Sequence, residues 1–217
     1  MSATKEQQRN ELHKTIWSIA DDLRGSVDGW DFKQYILGTL FYRFISENLC
    51  SYLAEQEGDP SFDYAKLPDE QAEYGREETV KEKGFFILPS ELFSRVLDTV
   101  DKDGMSFAEG GDDLNEILVR VFANIEGSAV GTESEDALKG LLADFDPNSP
   151  KLGNTVIERN KKLVTLITKI AGLDFGGAFQ DNSIDAFGDA YEFLMTMYAS
   201  NAGKSGGEFF TPQEVGE

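Results

Sequence analysis

Four short stretches have side chains of types and spacings that could do chemistry. Gly203-Lys204-Ser205 ends like a phosphate-binding loop, but Tyr198 stands where the first glycine is required and a helical pattern precedes it in place of a strand. The acidic run DKDGMSFAEGGDD, from Asp101, resembles a calcium loop. With Gly104 at the obligatory glycine, Thr99 falls on the first ligand position and Gly110 on the one that needs a bidentate acid. Arg159, Lys161 and Lys162 form a compact basic group, open to two readings, a phosphate contact or a solvated helix face. In the fourth, GGEFFTPQEV, Thr211 fits an N-cap, Pro212 the first helical position and Glu214 the acid of a capping box. A helix starting there directs free backbone N–H groups at an anion.

The rest of the inventory is exclusion. His13 is the single histidine and Cys50 the single cysteine. A zinc site and any scheme needing two histidines are therefore not expected, and neither is an internal disulfide. Cys50 lies in an apolar helical pattern and reads as a small hydrophobe. No carboxylate pair stands out from the acidic background. No apolar run approaches membrane length, and the polar start MSATKEQQRNELHK lacks the core of a signal peptide, so a cytoplasmic, membrane-free protein is expected.

The elements that must carry these residues are helical nearly throughout. Leu12, Ile16, Ile19 and Leu23 form one stripe, ended by Gly25. A second pattern runs from Trp30 to about Glu55, and its width predicts burial on more than one side. Residues 58–84 read as irregular, with Asp59-Pro60 and Leu67-Pro68 as breakers. Phe85-Phe86-Ile87-Leu88 reads as an extended entry to a helix over Glu91–Val100. Further helices are expected through Leu114–Ile125, behind a capping box at Thr132/Glu135, behind another at Thr155/Glu158, and from about Ile184. DFDPNSPKLG reads as a loop. Helix upon helix predicts an all-α domain.

Charge is uneven. The formal net charge is −20, and residues 51–145 hold 23 Asp and Glu against eight Lys and Arg. Such a surface repels phosphates, so weak, salt-sensitive DNA binding at most is expected of this chain alone.

GGEFFTPQEV resembles the segment that opens the catalytic core of adenine-specific DNA methyltransferases, closest to the modification subunit of type I restriction-modification systems. IWSIADDLRGSVDGWDFKQYILGTLFYRFISE resembles that subunit's N-terminal helical domain. KLGNTVIERNKKLVTLITKIAGLDF and IDAFGDAYEFLMTMYA resemble the helices that follow, so the likeness spans almost the whole chain. It implies a multi-helix N-terminal domain over residues 1–175. Residues 176–217 would then be a helical lead-in and the truncated start of a Rossmann-like α/β methyltransferase core.

The resemblance further implies that Glu208, Phe209, Phe210, Thr211, Pro212 and Gln213 border S-adenosyl-L-methionine. The two aromatics would offer a flat surface to the cofactor or pack the tail onto the helices. The family's Asn-Pro-Pro-aromatic motif, which sits beside the target adenine, has no counterpart in the 217 residues. No catalytic and no metal-binding residue is assigned, and the chain alone is expected neither to bind the cofactor nor to methylate DNA. The implied partners are the specificity subunit, a second modification subunit and the restriction subunit, with DNA met through the assembled complex. The competing reading is a non-catalytic acidic helical interaction module or DNA mimic.

Overall fold

The computed structural model describes Gln7, Asn10, His13, Lys14, Trp17 and Ser18, residues 29–142 and residues 145–173. Its helices in chain order are α1 (Gly29–Glu57), α2 (Asp69–Ala72), α3 (Arg76–Lys83), α4 (Leu114–Ser128), α5 (Glu135–Leu142) and α6 (Val156–Ala171). Among the described residues no strand forms, and a single antiparallel bridge joins Val100 to Ser106. The all-α expectation holds over this region.

α1 is the central pillar. Tyr35, Ile36, Leu37, Thr39 and Leu40 are all buried, as are Tyr42, Ile45, Ser46 and Leu49. From 35 to 40 consecutive buried positions cover every side of a 3.6-residue turn, so this part of the helix is enclosed, while its C-terminal end at 55–57 is exposed. It packs against α5 and α6, and α4 packs against α5 and α6 in turn. Edge-to-face rings tie these layers together: Tyr35 to Phe145 at 5.0 Å, Phe145 to Phe122 at 5.1 Å, Phe122 to Tyr42 at 5.4 Å and Tyr42 to Phe93 at 5.5 Å.

α6 starts as its sequence requires. Thr155 Oγ1 accepts from the Glu158 N–H at 3.2 Å, and Glu158 Oε2 accepts from the Thr155 N–H at 3.1 Å. The expected box at Thr132/Glu135 does not close. Thr132 Oγ1 accepts from Ser134 N–H and donates to backbone carbonyls, while Glu135 reaches one residue further back, to the Gly131 N–H at 2.7 Å.

Two other expectations are corrected. No α-helix forms over 91–100: a short 3-10 helix at Pro89–Glu91 is followed by turns over 93–99. Leu92 is extended (φ −65°, ψ 147°), and the Phe93 N–H donates to Ser46 Oγ at 3.1 Å in place of a carbonyl one turn back. Four-residue turns follow, with Arg95 N–H donating to Leu92 O and Asp98 N–H to Arg95 O. The apolar spacing of Leu92, Val96 and Val100 reported burial, which these turns satisfy without a helix. Conversely, α3 lies within the stretch read as irregular. Only Thr79 of its eight residues is buried, so it has no apolar stripe to detect. Its stop is local: Gly84 sits at φ +82°, and its N–H donates to Val80 O at 2.8 Å.

Glu91 is the buried acid of this core. Its Oε1 accepts from Asn124 Nδ2 at 2.6 Å, and its backbone carbonyl accepts from the Tyr42 hydroxyl. Burial raises its carboxyl above the usual range, against the opposing pull of the Asn124 bond. A raised carboxylate binds its proton more tightly folded than unfolded, so it costs stability above the folded pKa and the cost fades as pH falls through it. Glu91→Gln keeps an acceptor for Asn124 and removes the buried charge. The variant is expected to be at least as stable as the parent at neutral pH, with the difference vanishing towards about pH 4. Urea melts across that range provide the check, and a gap that widens on acidification contradicts the assignment.

Candidate functional site

The six residues expected to border the cofactor, Glu208 to Gln213, lie outside the described residues, as do the whole of 174–217 and the helix expected from Ile184. What the structure places is the frame that leads to them.

That frame ends at the C-terminus of α6, where the last carbonyls of a helix need donors from elsewhere. Arg43, midway along α1, supplies them. Its Nη1 donates to Ile170 O at 2.6 Å and to Leu173 O at 2.8 Å, and its Nε pairs with Glu47 at 2.7 Å. The side chain is 12% exposed, so these charge-assisted bonds form largely out of water, where they are strongest. A cation also suits the negative end of the helix dipole. Lys169 Nζ meets Ser18 Oγ at 3.0 Å, which brings the N-terminal segment to the same end of the domain. The point at which the chain leaves α6 is thereby clamped.

Arg43→Met keeps the apolar stem and deletes the donors. We expect a loss of about 2–3 kcal/mol, the usual cost of losing hydrogen bonds from a charged group to buried acceptors. Faster amide exchange at Leu173 should accompany it. Unchanged stability and exchange would show that the clamp does not hold the exit.

The other sequence candidates find structural duties. Asp101 Oδ1 accepts from the N–H groups of Asp103 (2.8 Å) and Met105 (3.0 Å), so it braces its own loop. Gly104, at φ +77°, makes that turn, and a Cβ there would fall 2.8 Å from Asn160 Cβ and 3.1 Å from Asn160 O. Two of the three residues of the basic group find partners within the chain. Arg159 turns back to donate to Gly153 O at 3.1 Å, and Lys161 reaches Asp103 at 3.7 Å. Cys50 is half-buried, and burial with nearby Asp63 and Glu47 pushes its thiol up to about 11, which favours the protonated thiol at neutral pH. Among the described residues no helix is long and apolar enough to cross a membrane.

Sequence reasoning missed Arg43 and Asn160. The first reads as a lone cation in an aromatic run, the second as one of several polar residues on α6. Asn160 is fully buried and receives the Asn115 backbone N–H on its Oδ1 at 2.8 Å.

Residues 12–170 match the HsdM N-terminal domain, and residues 182–217 match N-6 DNA Methylase. The chain is 47% identical over 223 aligned residues to the type I restriction enzyme MpnII methylase subunit of Mycoplasma pneumoniae, covering all of this chain and 40% of that protein. It is 24% identical over 207 residues to the MjaIX methylase subunit of Methanocaldococcus jannaschii, covering 94% of this chain and 34% of the relative. The chain thus spans well under half the length of these relatives. Among solved structures, the type I restriction-modification methyltransferase subunit of Streptococcus thermophilus superposes with a TM-score of 0.69 at 29% identity, over 94% of this chain and 42% of that one. A helical domain matched from residue 12 to 170, followed by a methylase segment from residue 182, places this chain in the family of type I restriction-modification methylase subunits.

Proposed function

We propose that this chain is the N-terminal portion of a modification subunit that transfers a methyl group from S-adenosyl-L-methionine to adenine N6 in DNA. The single observation that carries the reading is the 47% identity to a type I methylase subunit along the whole chain, helical domain and methylase start together.

In this reading the helical domain serves assembly, in the cytoplasm, with a specificity subunit that reads the DNA sequence, a second modification subunit and the restriction subunit. Its physical character suits that role. Residues 51–145 include 23 acidic against eight basic residues, a balance that opposes a grip on phosphates. The division near residue 175 separates this domain from the lead-in to the catalytic core. Glu208, Phe209, Phe210, Thr211, Pro212 and Gln213 form one wall of the cofactor pocket, with the helix that begins at Pro212 presenting N–H groups to the methionyl carboxylate. One wall is too little to bind, because a small-molecule site needs convergent contacts from several sides. The remainder of the core supplies the in-line geometry and receives an adenine turned out of the duplex.

The test is to express the full-length modification subunit together with a cognate specificity subunit, and to follow labelled methyl transfer to DNA. The 217-residue chain is titrated with the cofactor in parallel. Adenine methylation by the complex and no micromolar cofactor binding by the shorter chain are expected. A complete complex that leaves adenine unmodified overturns the function, and micromolar binding by the 217-residue chain overturns the one-wall account.

A further inference from the structure

Helix α6 ends without a stop of its own. α3 closes on Gly84 at φ +82°, a left-handed residue that turns the chain away from the helix. The residue in the same position of α6, Gly172, stays right-handed at φ −74° and ψ −7°. Backbone bonds run on through it, from Gly172 N–H to Thr168 O at 3.1 Å and from Leu173 N–H to Ile170 O at 3.2 Å. What fixes the end is a side chain from another element. Arg43 Nη1 spans Ile170 O at 2.6 Å and Leu173 O at 2.8 Å. Leu173 is 4% exposed, so its side chain is seated in the core while its carbonyl is held from α1.

The mounting of Arg43 is firm. Its sequence neighbour Tyr42 is buried, as is Ile45 two residues on, and Glu47 holds its Nε at 2.7 Å. The methylase match begins at residue 182, nine residues beyond Leu173, a span of at most about 30 Å even for extended chain. The start of that segment is therefore tethered to a carbonyl whose position Arg43 sets. Group transfer is sensitive to such placement, since a displacement of about 1 Å arising far from the chemistry can cost about a hundredfold in rate.

Resting on the function proposed above, we propose that Arg43 is a positioning residue for methyl transfer: by fixing where the chain leaves α6, it sets the methylase segment against the helical domain. Arg43 touches no reacting atom in this role. Its two carbonyl bonds replace the local stop that α6 lacks, and a guanidinium suits them because its planar fork holds several donors in fixed directions.

The experiment uses the full-length modification subunit with a cognate specificity subunit and follows labelled methyl transfer to DNA at varied cofactor concentration. The parent is compared with Arg43→Met, Arg43→Lys and Phe145→Ala, each below its own unfolding midpoint. Phe145 serves as the stability control: its ring meets Tyr35, about two turns along α1 from Arg43, and its loss opens the core. Arg43→Met should lower kcat about tenfold or more with the cofactor KM unchanged, because the cofactor contacts lie together beyond the exit and move as one. Arg43→Lys, which keeps a cation and a donor, should fall between parent and Arg43→Met, and Phe145→Ala should keep the parent's rate. Arg43→Met at the parent's rate overturns the positioning role and leaves the proposed function standing. If that variant does not fold, Arg43→Lys at the parent's rate does the same. A Phe145→Ala loss as large as that of Arg43→Met reduces Arg43 to general stability and also overturns the role, as does a raised cofactor KM with kcat unchanged. A parent complex that leaves adenine unmodified removes the proposed function and this inference with it.

Discussion

Phe145→Ala lowers the unfolding free energy by about 4 kcal/mol, in the range of large-to-small changes at buried aromatics. The residue lies between α5 and α6, in a loop, yet it is 5% exposed and central to the ring series. It meets Tyr35 at 5.0 Å and 68°, and Phe122 at 5.1 Å and 88°. Each edge-to-face pair contributes roughly 0.5–1.5 kcal/mol beyond the area buried. Against α1 the approach is so close that a Cβ on Gly38 would fall 2.6 Å from Phe145 Cδ2. Gly38→Ala alone therefore overpacks the junction. In Phe145→Ala the added methyl would occupy part of the vacated space, so the double variant should be less destabilised than the sum of the singles. Guanidinium unfolding of the four proteins gives the cycle. A Phe145→Ala cost near zero, or strict additivity, would mean that this loop is not part of the core.

The same residue shows where sequence and fold part company. DFDPNSPKLG has the composition of a loop, and over 145–153 it is one, but composition does not reveal that its phenylalanine completes the core between α1 and α4. α4 and α6 were legible because burial on one side leaves a 3.6-residue trace, as in Leu163, Leu166, Ile167 and Ile170 of α6. α3 left no such trace, since it buries one threonine. The segment 91–100 left a false one, because turns can bury side chains at helical spacing when a remote hydroxyl, Ser46 Oγ, takes over a backbone donor. Local chemistry was legible where it was self-contained: Thr155 and Glu158 satisfy each other within one turn. Thr132 was not, because Gly84 O, 48 residues away, accepts from its hydroxyl. The candidate cofactor wall, Glu208 to Gln213, was legible through resemblance to a family, as its residue types alone specify only an aromatic pair before a helix start.

Asn160→Leu is the second large loss, about 3 kcal/mol, and it comes from a residue that the flanking charges conceal. Asn160 sits between Arg159 and Lys161 on a stretch that reads as solvated, but it is 0% exposed. Its Oδ1 accepts the N–H of Asn115, the second residue of α4 and one of the donors that a helix start leaves unpaired. Its Nδ2 donates to Asn115 Oδ1 at 2.9 Å, and Asn115 Nδ2 continues to Asn148 Oδ1 at 2.6 Å. One buried amide thus caps α4 from α6 and reaches the loop before α6 through its partner. Leucine has a similar volume and no polar atom, so it strands a buried N–H and a buried carbonyl oxygen, each costing about 1–3 kcal/mol. A plain volume argument predicts the reverse, a gain from replacing amide by hydrocarbon in a dry core. The two accounts differ in sign, and an equilibrium unfolding curve for the single variant decides between them. Asn115→Ala combined with Asn160→Leu should cost less than the two singles added, because the Asn115 carbonyl oxygen left stranded by Asn160→Leu is then gone. The orphaned Asn115 N–H remains in both backgrounds, so the double variant stays below the parent; a double variant as stable as the parent would show that this amide was never the cap of α4.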